Sequence, residues 1–134
     1  MVTADPAYRA LADALGTRAT LLAPLGPLTT YGVGGPAAVL VEVEGPDDLD
    51  DLRTALRDSP LATFAIGRGS NVLVADAGLD GVAVHLGAGF AGLALPDRVT
   101  AAAGGTAVLT AGASLALPVL ARRAADAGLS LIHI

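Results

Sequence analysis

Ile66-Gly67-Arg68-Gly69-Ser70-Asn71-Val72-Leu73-Val74 is the stretch on which the reading of this chain turns. Small apolar residues from Leu61 to Ile66 predict a strand, which runs into a loop with two closely spaced glycines. Glycine reaches φ > 0 without a Cβ clash, so successive backbone N–H groups in such a loop can turn inward and form an anion-binding nest. Ser70 and Asn71 add hydroxyl and amide donors, and Arg68 adds positive charge. The loop suits a phosphate-bearing ligand. Its plain alternative is a glycine-rich turn that binds nothing.

Two familiar phosphate binders fail on the residues. A Walker A loop needs a lysine to reach the β- and γ-phosphates, and every basic residue of this chain is arginine. A dinucleotide fingerprint needs G-x-G-x-x-G opening a helix. Here Gly67 and Gly69 are followed by Val72 where the third glycine would stand. The β-branched run after the loop predicts another strand over 71–74, so no helix N-terminus stands behind the amides.

The neighbouring blocks narrow the field. Thr29-Thr30-Tyr31-Gly32-Val33-Gly34-Gly35-Pro36-Ala37 lies upstream, and Gly78-Leu79-Asp80-Gly81-Val82 follows downstream. The ordered set TTYGVGGPA, IGRGSNVLVAD and GLDGVAVHL resembles the UDP-N-acetylenolpyruvoylglucosamine reductase family, flavin enzymes that complete UDP-N-acetylmuramate for peptidoglycan. The resemblance runs from about Leu28 to Ser130. Thr29 departs from it, because the family usually has asparagine there.

The resemblance implies an α+β fold of the FAD-binding PCMH, or vanillyl-alcohol-oxidase, type, with two α/β subdomains of which the second is incomplete here. On that basis residues 1–19 form a lead-in helix, 20–67 the first subdomain, 68–130 the second, and 131–134 a tail outside the family pattern. It implies FAD as cofactor, NADPH as co-substrate and a UDP-sugar as substrate. The residues it carries over to the cofactor are Gly67, Arg68, Gly69, Ser70, Asn71 and Val72 in the glycine loop, with Thr30, Tyr31 and Gly32 from the upstream block. The family's protonating serine, substrate arginine and late glutamate fall beyond residue 130, so no catalytic residue is expected here. The implied chain is an N-terminal part of the enzyme, without turnover of its own. Two alternatives stay open: an FAD-linked oxidase of the same fold, whose P-G-G-type pattern TTYGVGGPA does not match, and a non-catalytic nucleotide-binding module.

Composition bounds the rest. The chain has 134 residues, enough for one modest core, and only 3% aromatics to fill it. A net charge of −5 opposes a nucleic-acid partner, which wants a basic face. Without cysteine, disulfides, thiolate metal sites and a cysteinyl flavin link are excluded. Mean hydropathy is high at +0.62, and Val99 to Ala121 carries no charge. That segment holds three glycines, three threonines and Ser114, with Pro118 inside it, a mix that inserts poorly into a bilayer. No signal peptide is legible, so a cytoplasmic protein without membrane, metal or protein partner is expected.

Local signals punctuate the chain. Asp5-Pro6 predicts a helix start and Gly16 its stop. Alternating valines predict a strand over 37–44. Pro46-Asp47-Asp48-Leu49-Asp50-Asp51-Leu52 predicts a second helix with Leu49, Leu52 and Leu56 on one face and solvated acids at its start. These make a β-α-β unit ending in the glycine loop. Further strands are expected over 82–86, 98–103 and 107–113, then a helix capped by Ser114 and stopped by Gly128. His85 and His133 are read as structural or incidental, and Asp76 and Asp80 as bonding the backbone of their turns.

Overall fold

The computed structural model describes residues 2–3, 5–96 and 106–130. They divide into two compact units, Met1–Gly89 and Phe90–Ile134.

The first unit opens with helix α1 (Pro6–Leu15). Asp5 accepts hydrogen bonds from the N–H groups of Ala7 and Tyr8, satisfying donors that the first turn leaves without partners, and Gly16 takes the C-cap. Strand β1 (Ala19–Leu21) pairs antiparallel with β2 (Ala37–Val43). Helix α2 (Pro46–Ala55) leads to β3 (Thr63–Ile66), and β4 (Leu79–Leu86) follows the glycine loop. The sheet order is β1-β2-β4-β3, with β4 parallel to both neighbours. The expected β-α-β unit is present, and β4 is inserted between its two strands. The sheet joins strands from before and after the glycine loop, and the compact units meet at Gly89 and Phe90 in the chain.

Why these residues pack this way is plain from side-chain volume. Val39, Val41 and Val43 of β2 and Val82 of β4 are almost completely buried, and α1 buries Tyr8, Leu11 and Leu15. In α2 only Leu52 of the expected apolar face is buried, while Leu49 stays 40% exposed. A second buried cluster, Leu25, Ala37, Ile66 and Ala83, has Leu28, Leu40, Val74 and Leu79 packed against it. Leu25 and Leu28 come from the loop before β2, and Ile66 and Val74 flank the glycine loop. This cluster is the floor that places the two loops.

The acids of α2 do more than face solvent. Asp48 accepts from the Glu44 N–H at 2.9 Å, fastening the end of β2 to the first turn of α2. Arg18 bonds Asp48 at 2.6 Å and Asp51 at 2.9 Å, tying the β1 side of the unit to α2. The Glu44 N–H, and after it Arg18, hold the Asp48 carboxyl below the usual carboxylate range.

In the second unit β5 (Leu93–Ala94) pairs antiparallel with β6 (Thr110–Ala111), and helix α3 (Leu117–Asp126) buries Ala124. Ala116, two residues beyond Ser114, takes the N-cap of α3. After Gly128 the Leu129 N–H returns to the Ala124 carbonyl at 2.8 Å, closing the helix. The strand expected over 107–113 shortens to Thr110–Ala111, and those expected over 98–103 lie outside the described residues. No helix among the described residues is long and apolar enough to cross a membrane.

Candidate functional site

The glycine loop leaves β3 at Ile66 and does not enter a second strand. Residues 71–74, expected as a strand, carry no ladder. Their apolar character serves packing instead: Val74 lies against the backbone of Gly34, where an added Cβ would come within 2.6 Å of the Val74 Cβ. The Gly35 N–H donates to the Ala75 carbonyl at 3.0 Å, and the Leu79 N–H to the Pro36 carbonyl at 2.8 Å. The chain after the glycine loop thus runs along the Gly34–Pro36 segment, backbone to backbone.

The loop before β2 meets the glycine loop at one close junction. The Thr30 N–H donates to the Gly69 carbonyl at 3.1 Å. Gly69 has φ +61, and a Cβ there would overlap the Leu28 carbonyl oxygen. Two independent reasons, a left-handed backbone and no room, therefore demand glycine at this position. Gly35 is similarly closed, since a Cβ there would overlap the Asp76 carbonyl.

Of the residues expected to touch a cofactor, Thr30 and Gly69 are joined directly. Gly69 is buried, Gly67 and Val72 are half-buried, and Arg68, Ser70, Asn71, Thr30, Tyr31 and Gly32 are exposed. Tyr31 shows 63% of its surface. Among the described residues, none of the backbone N–H groups from Gly67 to Asn71 donates a hydrogen bond. Consecutive unengaged amides beside exposed hydroxyl, carboxamide and guanidinium groups form a donor-rich set, with no carboxylate among residues 67–72.

Sequence reasoning missed Thr29. Only 9% exposed, it donates its hydroxyl to the Gly26 carbonyl at 3.0 Å and accepts the Gly32 N–H on Oγ1 at 3.2 Å. Its departure from the family pattern was the available signal. Asp80, expected to bond its own turn, accepts the Tyr8 hydroxyl at 3.1 Å. Burial first and this bond second push the Tyr8 phenol above its ordinary value. His85 lies 3.7 Å from Glu42 across the β2–β4 ladder, a surface pair. Among the described residues no group of three or more metal-ligating side chains converges.

No family model matches the chain. Curated relatives do. The UDP-N-acetylenolpyruvoylglucosamine reductase of Caulobacter vibrioides is 41% identical over 107 residues, covering 79% of this chain and 32% of the relative. That of Azorhizobium caulinodans is 39% identical over 127 residues, 93% of this chain and 37% of the relative. That of Bacillus subtilis is 39% identical over 92 residues, 69% of this chain and 30% of the relative. The crystal structure of UDP-N-acetylenolpyruvylglucosamine reductase from Thermus caldophilus superposes with a TM-score of 0.50 at 30% identity, covering 82% of this chain and 33% of that one. The chain spans about a third of the length of the curated relatives it matches. With this structural neighbour, its mixed strands and helices are part of the α+β, FAD-binding PCMH-type fold. Ordered motifs, backbone junction and matched relatives agree: the chain belongs to the UDP-N-acetylenolpyruvoylglucosamine reductase family.

Proposed function

We propose that this chain carries the flavin-binding part of an oxidoreductase that reduces UDP-N-acetylglucosamine enolpyruvate to UDP-N-acetylmuramate for peptidoglycan, with FAD as cofactor, NADPH as reductant and the cytoplasm as its place of action. The observation that carries this reading is the run of unengaged main-chain N–H groups from Gly67 to Asn71, held against the TTYG block by the Thr30–Gly69 hydrogen bond.

The residues fit a flavin pyrophosphate. Its charge needs donors and no competing carboxylate, and the loop supplies amides, Ser70, Asn71 and Arg68. Thr30, Tyr31 and Gly32 line the same junction, and the Tyr31 ring is exposed enough to meet a bound planar group. Bound flavin supplies hydride transfer, while these residues hold and orient it. The absence of a Cβ at Gly69 lets the two loops close together, so the donors of one are fixed relative to the other.

Titration of the intact purified protein with FAD, followed by flavin absorbance and fluorescence, tests the reading. Stoichiometric uptake of FAD is expected, and turnover of the enolpyruvyl substrate by these 134 residues is not. Replacing Arg68 and Ser70 together by alanine removes two exposed donors and should weaken FAD binding by about tenfold or more. A folded protein that takes up no FAD would end the proposal.

A further inference from the structure

We propose that Thr29 is a positioning residue for the cofactor loop, acting through the turn it organises and not by touching the ligand. The inference rests on the flavin reading above and names the residue that sets its geometry.

Thr29 locks the loop before β2 from inside with its side chain. Its N–H and its hydroxyl both donate to the Gly26 carbonyl, at 2.9 and 3.0 Å. The Gly32 N–H reaches both the Thr29 carbonyl and Oγ1, each at 3.2 Å. The side chain therefore closes a four-bond knot from Gly26 to Gly32. The residues on either side of Thr29 are those that meet the glycine loop. Leu28 puts its carbonyl against the Gly69 Cα, and Thr30 puts its N–H on the Gly69 carbonyl. Any rotation of the turn about Thr29 moves both contacts together.

A hydroxyl is needed because the position asks for a donor and an acceptor in one short side chain. Valine matches the shape and offers neither. Serine keeps both, and asparagine offers them as a carboxamide. Burial makes the loss felt, because water cannot replace the hydroxyl at a side chain this enclosed.

The test compares Thr29→Val with Thr29→Ser and Thr29→Asn in the intact protein, with two readouts. The first is backbone hydrogen exchange without ligand; the second is FAD affinity by fluorescence titration. Thr29→Val should speed exchange over Gly26–Gly32 while β2 and β4 keep wild-type protection, and should weaken FAD binding about fivefold. Thr29→Ser should stay within about twofold of wild type on both, and Thr29→Asn should retain FAD affinity. Unchanged exchange in Thr29→Val overturns the positioning role whatever FAD does, as does a rise spread evenly through β2 and β4. If exchange responds locally but FAD affinity does not, the coupling to the ligand is overturned. A wild type that binds no FAD sinks the flavin reading by itself, and the local exchange response then supports the tie between the loops. Should valine prevent folding, Thr29→Ala against Thr29→Ser carries the same comparison.

Discussion

In the β2–β4 ladder, Val39, Val41, Val82 and Ala83 are buried to 1% exposure or less, and the strands are held by what their side chains fill. At the junction of the two loops, Gly69 and Gly35 lie against the carbonyls of Leu28 and Asp76, and the chain is held by what is missing. Both regions are close-packed, but they respond to opposite changes. The ladder loses when atoms are removed. The junction loses when atoms are added. A site made of main-chain donors needs the second kind of packing, because only there can amides approach a ligand without side chains between.

The strongest way to break this contrast is Gly69→Ala. One methyl group meets both a left-handed backbone at φ +61 and the Leu28 carbonyl. The expected cost is about 4 kcal/mol, the sum of a left-handed penalty and overpacking. Chemical denaturation should show it, along with loss of FAD uptake. A near-neutral result would mean that the loops are not joined as described. Val41→Ala is next: it removes two methyl groups from a site 1% exposed and should cost about 2–3 kcal/mol by the same measurement. FAD affinity should change little, since none of the residues proposed to hold the cofactor belongs to the β2–β4 ladder. Gly32→Ala sharpens the comparison. Gly32 shares the left-handed conformation, at φ +67, but an added Cβ would meet nothing within 4 Å. It should cost only about 1 kcal/mol. A loss as large as that at Gly69 would show that conformation, and not crowding, governs both positions.

The same contrast explains what could be read from the residues. Helix α1 was legible at both ends because Asp5, Pro6 and Gly16 act on their immediate neighbours. Strand β2 was legible because burial on one face leaves valine at alternate positions. The place of the glycine loop was legible too. The insertion of β4 between β2 and β3 was not, since strand order is set by contacts that no local pattern records. Val72-Leu73-Val74 misled for a physical reason. A β-branched run fits a strand, but here Val74 is spent on covering Gly34 and Leu73 is left 73% exposed. Gly34 and Gly35 carried the missing signal: adjacent glycines opposite an apolar run mark two backbones in contact. Thr29 stood out only as a departure from the family pattern; its role was not legible, because a hydroxyl that bonds its own turn has the same letter as one in solvent.

The smallest expected effect lies outside both regions, at the start of α2. Asp48 is held below its ordinary value of 3.8 by the Glu44 N–H and then by Arg18, so the folded protein binds its proton less tightly than the unfolded chain does. Stability from this group is therefore fully present above that ordinary value and is lost as pH falls through the lower folded value. Thermal unfolding of wild type and Asp48→Asn across pH should show a gap that is steady above about pH 5 and shrinks as pH falls below the ordinary carboxylate range. Salt should narrow it as well, because both Arg18 contacts are partly exposed. Over the same range Gly69→Ala should keep a constant deficit, since crowding carries no proton. A pH-independent gap for Asp48→Asn would show that the side chain acts through its shape and not through its charge.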